Sequence, residues 1–188
     1  MKFKTGTKPG VRAAFSRYRA DRRGAVAAEF ALVALPFFAI LFAVIQVGVV
    51  FLAQNELETA VEKSARQLLT GSSQQASVTQ SQFIATVCSY LPALFSCSGV
   101  MVDLQAPSSF SAANTSKPSL TYNAQGQVTN SWSFNTGAAG SVLVLRVFYQ
   151  FPVLPVTFGL NLANLPNGRH LLMATSVFQV EPYGSSGS

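Results

Sequence analysis

Titratable chemistry is scarce in this chain: its 188 residues carry seven Asp and Glu, one His and two Cys, and charged residues make up 11% of the total. Beyond Gly24 there is one aspartate, Asp103, and one histidine, His170, and no carboxylates cluster outside the helical stretch that holds Glu56, Glu58 and Glu62. Acid–base catalysis needs such groups within hydrogen-bond reach of one another. A hydrolase triad would have to join Asp103 and His170 to a serine that no Gly-x-Ser-x-Gly frame marks. Phosphate loops, metal-ligand spacings and dinucleotide fingerprints are absent, and two thiols with a distant His170 do not make a zinc set. The residues therefore argue against an enzyme and give no reason to expect a cofactor or metal.

What the chain has is a polarised beginning. Eight of the 13 Lys and Arg precede Gly24 (Lys2, Lys4, Lys8, Arg12, Arg17, Arg19, Arg22 and Arg23), opposed only by Asp21. From Ala25 onward five basic side chains face six acidic ones, so the net charge of +6 belongs to the first 24 residues. A basic arm can bind nucleic acid. This one abuts a hydrophobic run, and retention on the cytoplasmic side of a membrane explains it better.

From Phe30 to Ala53 there is no charge over 24 residues, about 36 Å of helix against a hydrocarbon core of about 30 Å. Pro36 and Gly48 do not forbid a span, because proline is tolerated in membrane helices, and Gln46 is a single amide suited to facing a partner helix. A cleavable secretory signal fits poorly. Phe51-Leu52-Ala53 puts an aromatic where a small residue is wanted, and the run exceeds a typical signal core. Glu29 stands at the mouth of the run, where an ionised carboxylate near the bilayer core costs about 2.5–3.5 kcal/mol unless paired. A cut after Gly24 would free an amine at Ala25 able to pair with Glu29 of a neighbouring subunit.

The helical period continues past the span. Leu57, Val61, Ala65 and Leu68 form one stripe, and Glu62 and Arg66 are placed as an i,i+4 pair. The expected helix is Ala25 to Leu69, with Gly71 as its C-terminal cap. Whether Leu57 to Leu68 continues the membrane helix or opens a separate core helix is not decided by periodicity. Thr79 to Gln82 fits a capping box for a second, short helix that ends at Pro92. Val100, Val102 and Leu104 alternate with Met101, Asp103 and Gln105 as a half-buried strand should.

Val142 to Phe151 is the best strand, with Leu143, Leu145, Val147, Tyr149 and Phe151 on one face and Arg146 and Gln150 on the other. After the connection Pro152 to Gly168, whose Asn167-Gly168 suits a turn, Leu172, Ala174, Phe178 and Val180 line a final strand. That connection is long enough to move the last strand elsewhere in the sheet. Leu120 to Tyr122 and Val128 could form a weak hairpin, Phe110 to Lys117 reads as loop, and Trp132 with Phe134 suits either a surface contact or a buried pair. The fold class expected is α+β, a small antiparallel sheet of about four strands on the aqueous half of a long helix. Three segments follow: a basic leader 1–24, a helix 25–70 that spans a membrane at about 30–53, and a domain 71–188. Cys88 and Cys97, in an oxidising compartment, are most simply a disulfide.

The string Ala-Ala-Glu-Phe-Ala-Leu-Val-Ala-Leu-Pro at 27–36, the leader ending at Gly24 and the closing Val177 to Tyr183 resemble TadE-like proteins, the minor pilins or pseudopilins of the tight adherence (type IVb, Flp) pilus system. The paired cysteines and the Val142 to Phe151 strand suit that resemblance, which covers most of the chain. It implies a prepilin peptidase cutting between Gly24 and Ala25 on the cytoplasmic face, and Glu29 as the partner of an adjacent subunit's new amine. It implies a single-pass protein of a bacterial inner membrane, its carboxy-terminal domain periplasmic, engaging membrane lipid but no nucleic acid. Its further partners would be the major pilin, other minor pilins and the inner-membrane assembly platform with its ATPase. An uncleaved single-pass protein with a partner-binding outer domain is the alternative.

Overall fold

The computed structural model describes residues 25–154 and 161–182, so the leader 1–24, including Gly24, and the closing Tyr183 lie outside the described residues. The chain divides into two units, Met1–Val44 and Ile45–Ser188, which are taken in turn. A single helix, α1 (Ala25–Leu69), contributes to both and is continuous through Pro36. In the first unit its side chains from Val26 to Val44 are almost all exposed, Phe30 and Val26 to 71% and Leu32 to 76%. Such an apolar surface is at home in lipid or against other helices, not in water.

In the second unit the same helix turns amphipathic. Ala53, Leu57, Ala60, Val61, Ser64, Ala65 and Leu68 are buried, the periodicity of one helical face, so the stripe continues the long apolar helix and does not open a separate one. Glu62 and Arg66 do not come within ion-pair distance, since among the described residues the salt bridge is Asp103–Arg146. An exposed pair gains little over its two hydrated ions. Gly71, in the left-handed region at φ 74°, stops α1, its amide donating to the Leu68 carbonyl at 3.2 Å. The polar run that follows makes one helical turn, α2 (Ser72–Gln75). Helix α3 (Gln80–Ser89) starts with the full capping box, Thr79 accepting from the Gln82 amide while the Gln82 side chain accepts from the Thr79 amide.

The sheet has three antiparallel strands in the order β1 (Val100–Gln105), β2 (Val142–Pro152), β3 (Arg169–Gln179). The sequence led to an expectation of about four strands; among the described residues there are three, and the remaining pairing is confined to isolated bridges. Leu104 pairs in parallel with Phe134 and exchanges two backbone hydrogen bonds with Ser133 and Asn135, and the polar residues around it carry no apolar alternation to extend the ladder. The hairpin is likewise a single bridge, Tyr122 to Val128, and Phe110–Ala112 is a short 3-10 turn. Although the β2–β3 connection is long, β3 returns directly beside β2, pairing Leu143 with Phe178 and Phe151 with His170.

Alternation puts Leu143, Leu145, Val147, Tyr149 and Phe151 with Val102, Leu104, Leu172, Ala174 and Phe178 on the face that meets α1, and Phe83 and Val87 of α3 join them in one core. Helix α1 runs alongside β3. Gln54 Nε2 donates to the Met173 carbonyl at 2.9 Å, and the Glu181 amide donates to the Leu69 carbonyl at 2.8 Å. Between those ties the helix rises about 22 Å and the strand about 26 Å, a close match. The other sheet face is covered too, by residues 106–141, so Val144 and Phe148 are fully buried and Trp132 lies on Phe148 at 4.9 Å between centroids. Arg146 lies on the face opposite the apolar set, as expected, and is 7% exposed because that face is covered as well.

Candidate functional site

Ala25 is the first residue of α1, and Glu29 follows it by four residues, about 6 Å along the axis and about 40° around it, so the two backbone positions share a side of the helix. Glu29 is exposed, and no group among the described residues pairs with it. Between Ala25 and Ala53 the polar side chains are Glu29 and Gln46 alone. Gln46 differs from Glu29 in having a partner, as its Nε2 donates to the Leu154 carbonyl at 2.9 Å. An 18-residue window of α1 has mean hydropathy 2.6 and is 6% buried, so this stretch is a candidate membrane span and not a core helix.

Cys88, near the end of α3, is bonded to Cys97 in the 3-10 turn Cys97–Gly99 that leads into β1, with their Cα atoms 5.7 Å apart. The enclosed loop folds inward. Phe95 packs edge-on to Tyr149 at 4.8 Å, and the Ser96 amide donates to the Tyr149 hydroxyl at 3.1 Å.

Sequence reasoning missed the strongest electrostatic feature. Asp103 and Arg146 face each other across β1 and β2, with Nη2 to Oδ2 at 2.5 Å and Nε to Oδ2 at 3.0 Å. The spare capacity is taken up: Asp103 Oδ1 accepts from the Ser133 amide, Gln105 donates to Oδ2, and Arg146 Nη1 donates to the Ser116 carbonyl. The signal was a polar residue at an outward position of each strand, but only the strand register pairs them. His170 is elsewhere, in the row of Phe151 on the opposite face of the sheet, its Nδ1 on the Leu162 carbonyl. The sheet therefore lies between Asp103 and His170 and keeps them out of any common site.

A cleft of about 730 Å³ opens beside the cover, lined by Trp132, Tyr149, Gln150, Asn167, Arg169 and backbone around Gly126. Its polar groups are partly spent on one another, Asn167 donating to Gln150 Oε1 at 2.6 Å. On the cover itself, burial pushes the Tyr122 hydroxyl above the usual tyrosine range.

Among families of known proteins, the one described as TadE-like protein matches residues 24–66. The match opens at Gly24 and ends within α1, so the resemblance expected from the sequence is present over the candidate segment. The cysteines, β2 and the closing residues lie outside it. No curated protein and no solved structure matches the chain.

Proposed function

Proceeding from that TadE-like segment, we propose that the chain is the precursor of a minor pilin, or pseudopilin, of the tight adherence pilus system, a structural component and not an enzyme. The observation that carries the reading is the family match beginning at Gly24 and running along a helix whose apolar part, Ala25 to Ala53, holds one carboxylate, Glu29, a turn from its start. The basic leader holds the amino terminus in the cytoplasm, which leaves the sheet-bearing body periplasmic. A prepilin peptidase hydrolyses the Gly24–Ala25 amide, leaving a carboxylate on Gly24 and an ammonium on Ala25. Glu29 of an adjacent subunit accepts that ammonium in the low-dielectric surroundings of packed helices, where opposite charges attract strongly. Pairing offsets the cost of carrying Glu29 through the membrane and fixes the axial register of neighbours. Major pilin, other minor pilins and the assembly platform with its ATPase are then the partners, and surface adhesion is the outcome.

The test is the mass of the mature amino terminus, isolated from cells that make functional fibres. A start at Ala25 supports the proposal, and a chain that keeps Met1 overturns it in favour of an uncleaved single-pass protein. In the same cells Glu29→Leu should insert normally and fail to support fibre assembly, whereas normal piliation would remove the pairing role.

A further inference from the structure

The start of the β2–β3 connection carries apolar surface that the body does not bury. Leu154 is 75% exposed, and on α1 Phe51 and Leu52 are 67% and 53% exposed. An apolar cleft of about 340 Å³ lies between Val47, Val50 and Phe51 of α1 and Leu162 and Leu172. What fixes the height of this surface is the hydrogen bond from Gln46 Nε2 to the Leu154 carbonyl.

Gln46 lies seven residues before Ala53, the end of the uncharged run, which is about 10 Å of helix. Counted instead as the roughly 20 residues that cross a 30 Å core starting from Phe30, the span ends near Val49, about 5 Å beyond Gln46. Both counts put the Leu154 carbonyl about 5–10 Å inside the apolar layer, the depth at which interfacial elements embed. Non-helical backbone at that depth needs its polar groups satisfied by protein, and the Gln46 amide does this for the Leu154 carbonyl. The amide that sequence reading assigned to a partner helix thus has an intramolecular duty.

We propose that the chain meets the membrane twice: through α1, and through Leu154 and the adjoining Leu162 cleft, which seat among phospholipid acyl chains of the outer leaflet. The second contact rests on α1 spanning the bilayer and not on cleavage at Gly24. It holds the body at one height and restricts its rotation about the helix axis.

The experiment places tryptophan reporters in the full-length protein, reconstituted in phosphatidylcholine vesicles containing lipids brominated along the acyl chain. Trp132 is the only native tryptophan, so Trp132→Phe supplies the background for Leu154→Trp and Phe51→Trp. Both reporters should emit to the blue and lose intensity to bromines near the headgroup end of the chain, while Trp132 in the unmodified protein should not. Quenching of Phe51→Trp without quenching of Leu154→Trp overturns the proposal; quenching of neither overturns the membrane reading of α1 beneath it. A photoreactive acyl chain on the unmutated protein gives a readout independent of substitution. It should label a peptide containing Leu154, and labelling confined to α1 overturns the second contact.

Discussion

Replacing Asp103 by Asn keeps the shape of the side chain and removes its charge, leaving the Arg146 guanidinium buried at 7% exposure without a counter-ion. At the observed 2.5 Å, and with an effective dielectric constant of about 20, the lost attraction is about 6–7 kcal/mol. The desolvation already spent on each ion is several kcal/mol, so the pair is close to balanced while breaking it is not. The expected cost of Asp103→Asn is about 3–5 kcal/mol, the range for orphaning one member of a buried pair. For a body of this size that lowers Tm by roughly 10–20 °C. Asp103→Leu with Arg146→Met removes both charges, and its expected stability lies within about 2 kcal/mol of the parent. The anchors to Ser133 and Ser116 go in the process. The assay is thermal unfolding of the full chain in detergent micelles, followed by near-ultraviolet circular dichroism, in which Trp132 reports on the cover. A single Asn variant that melts within about 2 °C of the parent would refute the argument that this pair is a desolvated, mutually dependent one.

Cys88→Ser should cost about 2.7 kcal/mol in the chain-entropy model, given a sequence separation of 9. Adding reductant to the parent should lower its melting point to that of the variant, and an unchanged melting point in both comparisons would count against the bridge as a source of stability. Thr79→Ala removes the acceptor of the capping box and should destabilise by about 1 kcal/mol, with Thr79→Ser restoring most of it; denaturant titration reads both. Leu57→Ala, at a fully buried position, should cost about 2–5 kcal/mol, whereas Leu35→Ala, 61% exposed, should leave the melting of the body unchanged.

The parts of this fold that were legible are those in which a residue's neighbours in sequence are also its neighbours in space. The stripe Leu57, Val61, Ala65 and Leu68, the capping box at Thr79 and the cap at Gly71 are one-turn relationships, and each appears as expected. Strand β2 was legible because its run of β-branched, aliphatic and aromatic residues from Val142 to Phe151 is interrupted only by Arg146 and Gln150, both on one face. The misreadings concern pairings across distance. Gln46 finds Leu154 at a separation of 108 residues, and Arg146 finds Asp103 at 43; both polar side chains looked outward while their partners were unknown. The bridge of Phe134 to Leu104 was unread for the same reason, because Phe134 is held there by tertiary packing on Phe83 and not by a strand pattern of its own. For the candidate segment, the spacing from Ala25 to Glu29 could be read directly, since it is a distance along one helix.

The cover over the outer sheet face has a consequence for how such a molecule can diversify. Residues 106–141 are moored by hydrogen bonds at Asp103, Leu104, Arg146 and Val180 and by Trp132 on Phe148, with polar loop between these points. Lengthening a flexible excursion between fixed anchors is thermodynamically mild, about 0.6 kcal/mol for each doubling. New sequence grafted between those moorings would leave the hydrophobic interior untouched, which makes this wrap the place where variants of the molecule can acquire a different outward appearance while keeping the same skeleton.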